Sequence, residues 1–163
     1  MSQPAGPGGF TLPPGTFRID RDGVWRHEGQ EVTHPGVLRN LYANLRADEH
    51  GHYLQVGPAR VPVEVEDAPF VLTRVEIVPP SQGDRTPTLR GYLSDGTEET
   101  IDPAALWLGP GGTPYAPVKG GVFHARIALA AWLQLAERLE EEAGTGRPVL
   151  VLGGRRIRLR GGR

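Results

Sequence analysis

Three glycine-containing dipeptides constrain the folding of this 163-residue chain more than any other feature, because each one separates two strand-like runs. Asp22-Gly23, Asp95-Gly96 and Gly153-Gly154 supply the positive φ angles that tight hairpin turns require. They predict three β-hairpins. The predicted strand pairs are Phe17–Asp20 with Val24–His27, Thr88–Leu93 with Glu98–Ile101, and Val149–Leu152 with Ile157–Arg160.

Two helices are predicted in addition to the hairpins. Thr33 is placed to cap the first helix, Pro35 stands near its first helical position, and Gly51 follows its end. The second helix is predicted from about Val122 to Glu142, where a wide apolar stripe indicates a largely buried, central element. Gly144 then stops it.

The order of these elements suggests a duplication. A hairpin, a helix and strands are followed by a hairpin, a loop, a helix and another hairpin. We predict an α+β fold of two structurally related halves, each a small antiparallel sheet with one main helix. The halves would span residues 16–79 and 84–163 and share one core, after a disordered Pro/Gly-rich tail at residues 1–15. A cleft between the halves is the natural ligand site.

Composition excludes several classes of protein. The chain has no cysteine, which removes thiol catalysis, cysteine-based zinc sites and disulfides. Its net charge of −1, from 18 basic and 19 acidic residues, gives no global attraction for nucleic acid or anionic lipid. There is no signal-peptide pattern and no apolar run long enough to span a bilayer, so we expect a cytoplasmic protein without a membrane partner. Lys119 is the only lysine, and the arginine-rich remainder is typical of a GC-rich bacterial gene.

The segment 61–70 begins as an alternating strand and then breaks its pattern. Asp67-Ala68-Pro69-Phe70 would place a carboxylate and an aromatic ring at the end of a sheet, where binding sites are common. The alternative is a plain strand exit, with Asp67 bonded to the backbone and Phe70 in the core. From the residues alone, we favour the strand exit.

No segment carries a recognised catalytic or cofactor motif, so we expect no catalytic residue, no metal and no cofactor. The glycines of segments 108–113 and 119–121 lie near the predicted start of the second helix and give a weak anion-site signal. The pair His50 and His52 lacks the spacing of a helical zinc site.

The C-terminal strand carries alternating arginines, Arg156, Arg158 and Arg160. This pattern suits a surface that grips nucleic-acid phosphates. It equally suits an exposed strand that charge protects from aggregation. We favour the second interpretation, because no aromatic residues for base stacking are interleaved.

Three motifs occur in an order that resembles the bacterial family known as domain of unknown function 1285. They are G-x-W-x-H-x-G from Gly23, V-E-D-A-P-F from Val65, and P-Y-x-x-V-[RK]-x-G from Pro114. With the segments around them, the match covers most of residues 17–142. The resemblance implies two structurally related halves, the second loosely like a pleckstrin-homology fold. It also implies binding of a small, nucleotide-like ligand between the halves, in signalling.

The resemblance further implies a set of site residues. By matching position, the cleft would be lined by Asp67, Pro69 and Phe70 from the first half and by Tyr115, Lys119 and Arg126 from the second. The chain departs from the family pattern at three places. Lys119 stands where arginine is usual, His124 where an acid is usual, and Gly57-Pro58 where a Thr-Pro dipeptide is expected.

We therefore predict a ligand-binding protein rather than an enzyme. A phosphate-bearing ligand would meet Lys119, Arg126 and the amides of Gly120 and Gly121, with a base against Tyr115 or Phe70. Three alternatives remain. The first is nucleic-acid binding through the C-terminal arginine strand, and the second is a hydrolase of nucleotide-like substrates that uses the carboxylates of residues 64–67. The third is a protein–protein adaptor, which would need an exposed apolar patch. The sequence leaves the oligomeric state open.

Overall fold

The computed structural model describes residues 12–83 and 85–160. The chain divides into two compact units, of which the first ends at Pro69 and the second begins at Phe70. The predicted boundary near residues 79–84 falls after the first strand of the second unit. Residues 1–11 of the predicted tail lie outside the described residues, while Leu12 is buried.

Within residues 12–69, the first unit contains six strands and one helix. Its strands are β1 (Phe17–Ile19), β2 (Trp25–His27), β3 (Gln30–Glu31), β4 (Leu45–Asp48), β5 (Gly51–Val56) and β6 (Ala59–Val65). Its helix, α1 (Pro35–Asn44), lies between β3 and β4 in the sequence. The strands form one sheet in the order β3-β2-β1-β6-β5-β4, in which the first strand pairs in parallel with the last. The predicted hairpin of β1 and β2 is confirmed.

Helix α1 begins at the predicted Pro35, but Thr33 is not its cap. His34 is the N-cap, and its Nδ1 accepts hydrogen bonds from the N–H groups of Gly36 at 3.1 Å and Val37 at 3.3 Å. An imidazole nitrogen thereby satisfies two N–H groups that a helix leaves without a backbone partner. Tyr42 anchors the helix to the sheet, since its ring meets that of Trp25 edge-on at 5.5 Å.

The second unit contains nine strands and one α-helix among its described residues. Its strands are β7 (Phe70–Val78), β8 (Thr88–Leu93), β9 (Glu98–Ile101), β10 (Trp107–Leu108), β11 (Pro114–Val118), β12 (Phe123–Ile127), β13 (Leu139–Glu141), β14 (Pro148–Leu152) and β15 (Arg155–Arg158). Its helix, α2 (Leu129–Ala136), follows β12. The two predicted hairpins of this unit, β8–β9 and β14–β15, are confirmed.

The two units repeat one sheet topology. The main sheet of the second unit has the order β10-β11-β12-β7-β8-β9. Read from its β9 edge, this is again third, second, first, sixth, fifth and fourth strand, with the first and last strands parallel at the centre. The predicted α+β fold of two related halves is therefore confirmed. Each sheet is antiparallel except at that central pair.

The second predicted helix is much shorter than the prediction. The segment 123–127 is the strand β12, and Leu139–Glu141 is the strand β13, so only Leu129–Ala136 is α-helical. The run from Phe123 to Ile127 also alternates, with Ala125 and Ile127 buried, and β12 gains backbone partners on both β7 and β11. An apolar run of this kind fits the helical period of about 3.6 residues and the strand period of 2 residues. Pairing with the neighbouring strands of the sheet favours the strand. The helix is not central, since Leu129 is 72% exposed.

The main sheet of the second unit curls. Strand β9 lies at one edge of the sheet order, yet it also contacts β11, the second strand from the other edge. The remaining strands form a separate sheet, β13-β14-β15. A curled sheet followed by a helix agrees with the loose pleckstrin-homology likeness that the resemblance implied.

Candidate functional site

Lys119 lies at the start of the turn between β11 and β12 and reaches back to the turn between β8 and β9. Its Nζ donates to Asp95 Oδ2 and to Thr97 Oγ1, each at 2.7 Å. Its backbone N–H donates to the carboxylate of Glu99, 3.0 Å from Oε1. We call Lys119, Asp95, Thr97 and Glu99 the latch, because they join two hairpins of the curled sheet. Lys119 has a φ of 55°, which is unfavourable for a residue with a Cβ, and these hydrogen bonds hold it there.

The negative charge of Asp95 sits on a nearly buried side chain, 9% exposed. Burial alone would raise the pKa of Asp95. Hydrogen bonds from Lys119 and Thr97, together with the ammonium charge, outweigh burial and lower the pKa of Asp95 below its ordinary value. A lowered pKa means that the folded state favours the ionised carboxylate. Its stabilising contribution is therefore present above the unfolded pKa and is lost as the pH falls through the folded pKa.

We expect the latch to weaken in acid. Its contribution to the free energy of unfolding should begin to fall as the pH drops below the unfolded pKa of about 4, and it should be lost below the lowered folded pKa of Asp95, where the carboxylate takes up a proton. In a Lys119→Met protein the ammonium is missing, so burial then favours the protonated carboxyl. Urea unfolding of the wild-type and variant proteins at about pH 7 and about pH 3 measures the contribution of the latch to the free energy of unfolding. The stability difference between the wild-type and variant proteins should narrow in acid, and a constant difference would contradict the role given to Asp95.

Gly120 and Gly121 lie in a hairpin turn and not at a helix N-terminus. The N–H of Gly121 donates to the Val118 carbonyl at 3.1 Å, which uses one of the amides predicted to bind phosphate. Both glycines have positive φ, 68° and 85°, as this turn requires. The next helix begins only at Leu129. The predicted helix start at these glycines is therefore wrong, and the helix dipole expected to favour an anion there belongs instead to α2, eight residues later.

Tyr115 and Arg126 are directly opposite each other on β11 and β12, so they share one face of the sheet. Trp107 on β10 is opposite Tyr115, and the two rings stack at 5.6 Å with an interplanar angle of 19°. The ring of His124 lies 5.9 Å from Tyr115 and 6.1 Å from Trp107. We call Trp107, Tyr115, His124 and Arg126 the aromatic–arginine face. Tyr115 is buried, whereas the other three side chains are half-buried.

The loop before β11 is shaped around the ring of Tyr115. A Cβ on Gly109 would lie 2.7 Å from Cε2 of Tyr115, so only glycine fits there without moving the ring. The N–H of Gly109 donates to the Thr113 carbonyl at 2.7 Å and closes the loop. The glycine-rich segment that suggested an anion site thus positions an aromatic side chain.

Phe70 lies on the opposite face of the same sheet. It is opposite Ala125 in register, its ring is 5.2 Å from that of Phe123, and it is 1% exposed. The Nζ of Lys119 is 5.5 Å from the centre of the Phe70 ring, so the latch belongs to this side. The predicted site residues of the second unit therefore lie on two faces of the sheet, with Tyr115 and Arg126 on one face and Lys119 and Phe70 on the other. Phe70 enters the core, as the strand-exit alternative predicted.

Asp67 and Pro69 belong to the first unit, at the exit from β6. Pro69 is buried and Asp67 is half-buried. The exit is held in place by the N–H of Glu66, which donates to the Ile19 carbonyl at 3.0 Å. The carboxylate of Glu66 forms an ion pair with Arg18. The acidic residues before Asp67 are therefore engaged in structural contacts or, like Glu64, exposed.

Two solved structures resemble this chain. A DUF1285 family protein from Silicibacter pomeroyi is 26% identical, with a TM-score of 0.69, over 97% of this chain and 90% of its own. The chain is therefore similar to a DUF1285 family protein in both fold and sequence. A second DUF1285 family protein, from Shewanella baltica, is 20% identical with a TM-score of 0.62, over 76% of this chain and 91% of its own. Neither the family models nor the curated proteins compared with the chain give a match. The resemblance predicted from the three motifs is confirmed.

Two side chains of the aromatic–arginine face were not predicted as site residues. Trp107 is expected from the sequence to be a core residue, but it is half-buried and stacked on Tyr115. The sequence gives one indication of a role for His124, namely that it stands where the family pattern has an acid. Because side chains alternate along a strand, His124 and Arg126 lie on the same face of β12. A sequence prediction that had identified this strand would have placed the two side chains together.

The C-terminal arginine strand is largely neutralised by its own sheet. Arg156 pairs with Glu140 at 2.5 Å, and Arg158 pairs with Glu142 at 2.5 Å. Hydrogen bonds from Thr145 and Arg158 lower the pKa of Glu142, which keeps that carboxylate charged. Two of the three alternating arginines therefore already face a carboxylate, which disfavours binding of a nucleic-acid backbone along this strand.

Among residues 12–83 and 85–160, no group of three His, Asp or Glu side chains is arranged to hold a metal ion. His50 lies in the β4–β5 turn, where its N–H donates to Asp48 Oδ1 at 2.8 Å. The hydrolase alternative therefore gains no metal site in the part of the chain that the structure describes. No helix in that part is both long enough and apolar enough to cross a membrane.

Proposed function

We propose that this protein binds a small, nucleotide-like molecule at the aromatic–arginine face, as a cytoplasmic protein with a role in signalling. The observation that carries the proposal is the group of three aromatic rings, 5.6 to 6.1 Å apart, next to a half-buried arginine. Such a group offers a stacking surface and a fixed positive charge together. These are the two features that a base and a phosphate require.

Trp107 would provide the stacking surface. Its indole ring is half-buried and backed on one side by Tyr115, so its orientation is fixed before a ligand arrives. Stacking of a base on an aromatic side chain contributes about 1–3 kcal/mol. Because each base has a π-face, this contact favours planar rings as a class rather than one base.

Arg126 would bind the anionic group. A guanidinium donates two parallel hydrogen bonds to a phosphate or carboxylate, which fixes its orientation as well as its charge. His124 lies two residues earlier on β12 and on the same face. An imidazole N–H there adds a donor at a position where the family pattern has an acid, so this chain is better suited to an anionic ligand.

Lys119 has no place in the proposed ligand contacts. Its ammonium donates to Asp95 and its backbone N–H to Glu99, so two carboxylates surround one cation. The local charge is negative, which repels a phosphate. The role that the resemblance implied for Lys119 therefore passes to Arg126.

A thermal-unfolding panel of mono-, di- and cyclic nucleotides tests the proposal. A ligand at about 100 times its Kd stabilises by about 2.7 kcal/mol. We expect this to raise the midpoint by roughly 5–10 °C for a protein of this size. The rise should be lost in Arg126→Gln protein and kept in Arg90→Gln protein, where an exposed arginine of the same sheet is replaced. A flat panel with wild-type protein would contradict the proposal.

A further inference from the structure

A pocket in the second unit lies outside the aromatic–arginine face. It is formed by the segment 85–88, the 3₁₀ turn 103–105 and the start of β15. Its volume is about 570 Å³, which is within the range of small-molecule sites. The lining includes Arg85, Thr88, Asp102, Arg155, Arg156 and Ile157.

The walls of this pocket are held in place by local packing. A Cβ on Gly153 would lie 3.0 Å from Cγ of Pro87, so the β14–β15 turn packs closely against the segment before β8. The N–H of Arg160 donates to the Leu106 carbonyl at 3.0 Å and ties the end of the hairpin to the 3₁₀ turn. Asp102 caps that turn by accepting from the N–H of Ala104 at 2.9 Å. The groups around the pocket therefore keep their spacing.

The charge of the pocket is positive although the chain as a whole carries −1. Three arginines line it against a single carboxylate, that of Asp102. Arg156 also forms an ion pair with Glu140, which does not line the pocket. Neither Arg85 nor Arg155 forms an ion pair within residues 12–83 and 85–160. Two guanidinium groups without an ion-pair partner in the described residues thus line one open pocket.

We infer that this arginine pocket binds the phosphate group of a small phosphorylated molecule. Arg85 and Arg155 donate to the phosphate oxygens, since guanidinium groups match phosphate geometry. One oxygen of Asp102 caps the 3₁₀ turn, and the other can accept from a hydroxyl of the same ligand. A hydroxyl-bearing monophosphate therefore fits the pocket better than a bare anion.

A nucleic-acid backbone fits these observations less well. The arginines that would extend the pocket along β15 are Arg156 and Arg158, and both are paired with glutamates of β13 and its following turn. A backbone needs a continuous basic track, whereas a single phosphate needs one cluster.

Titration of ¹⁵N-labelled protein with ribose 5-phosphate, and separately with inorganic phosphate, tests the inference. Amide shifts should appear in segments 85–88, 102–104 and 153–157, with tighter binding of the sugar phosphate. Arg155→Gln and Arg85→Gln should each weaken binding about tenfold or more, the loss of a charged hydrogen bond. Arg158→Gln is the matched control, since it replaces an exposed arginine of the same strand outside the pocket, and it should bind as the wild type does.

Three outcomes would overturn the inference. The first is an absence of shifts at millimolar phosphate. The second is equal weakening by Arg158→Gln, which would indicate nonspecific attraction. The third is tighter, steeply salt-dependent binding of a single-stranded oligonucleotide that needs Arg158, which would indicate a nucleic-acid surface. Arg126→Gln should leave the shifts in segments 85–88, 102–104 and 153–157 unchanged, so this pocket and the aromatic–arginine face can fail independently.

Discussion

Phe70→Ala protein should unfold at a much lower urea concentration than the wild type, with the free energy of unfolding reduced by about 3–5 kcal/mol. The ring is 1% exposed, packs against Phe123 and stands on the central strand of the second sheet. Its removal leaves a cavity that these central strands cannot readily close. Equilibrium urea unfolding, followed by tryptophan fluorescence, measures the loss.

Two further variants serve as controls for the Phe70→Ala measurement. Phe70→Leu keeps most of the volume and should recover most of the stability. Leu133→Ala removes a large apolar side chain that is 55% exposed on α2, and it should change the stability by no more than about 0.5 kcal/mol. If Phe70→Ala reduced the free energy of unfolding as little as Leu133→Ala does, Phe70 would not be a core residue. Its predicted role in a ligand site would then be favoured again.

Lys119→Met should cost about 1.5–3 kcal/mol of unfolding free energy, the next largest effect we expect. The substitution leaves the Asp95 carboxylate 9% exposed in the wild-type geometry without its ammonium partner. It also frees the β11–β12 turn from the β8–β9 turn. The measurement is urea unfolding near neutral pH, where the pair is fully charged.

A double-mutant cycle with Asp95→Asn isolates the interaction. The asparagine keeps a side-chain oxygen for the N–H of Thr97 but carries no charge. Because the two residues touch, the double variant should be more stable than the sum of the single losses implies. Additive losses would show that Lys119 stabilises through its turn and not through Asp95.

The elements that depend on local turn chemistry could be predicted from the sequence. The pairs Asp22-Gly23, Asp95-Gly96 and Gly153-Gly154 each lie in a hairpin turn, and the positive φ angles are adopted by the glycines alone, so no distant information was needed. The second helix could not be delimited in the same way. The residues of β12 satisfy a helical and an extended period equally, and the partner strand β7 lies about fifty residues earlier in the chain.

The candidate site shows the same limit. The motif grouped Tyr115 with Arg126, but the predicted second helix placed Arg126 on a helix, whereas the structure places the two residues opposite each other on β11 and β12. The role of Lys119 was not predictable, because its partner Asp95 is 24 residues away and meets it only when the sheet curls. A lone lysine after a glycine-rich loop resembles a phosphate ligand in sequence. The structure shows instead a cation that joins two hairpins.

The separation of structural and binding roles is tested most directly by calorimetric titration of the best ligand from the nucleotide panel into two variants. Lys119→Met should remain folded at room temperature and bind within about twofold of the wild-type Kd, since the latch lies on the other face of the sheet. Arg126→Gln should lose about tenfold or more in affinity without a comparable loss of stability. The reverse order, with affinity lost in Lys119→Met and kept in Arg126→Gln, would contradict the account.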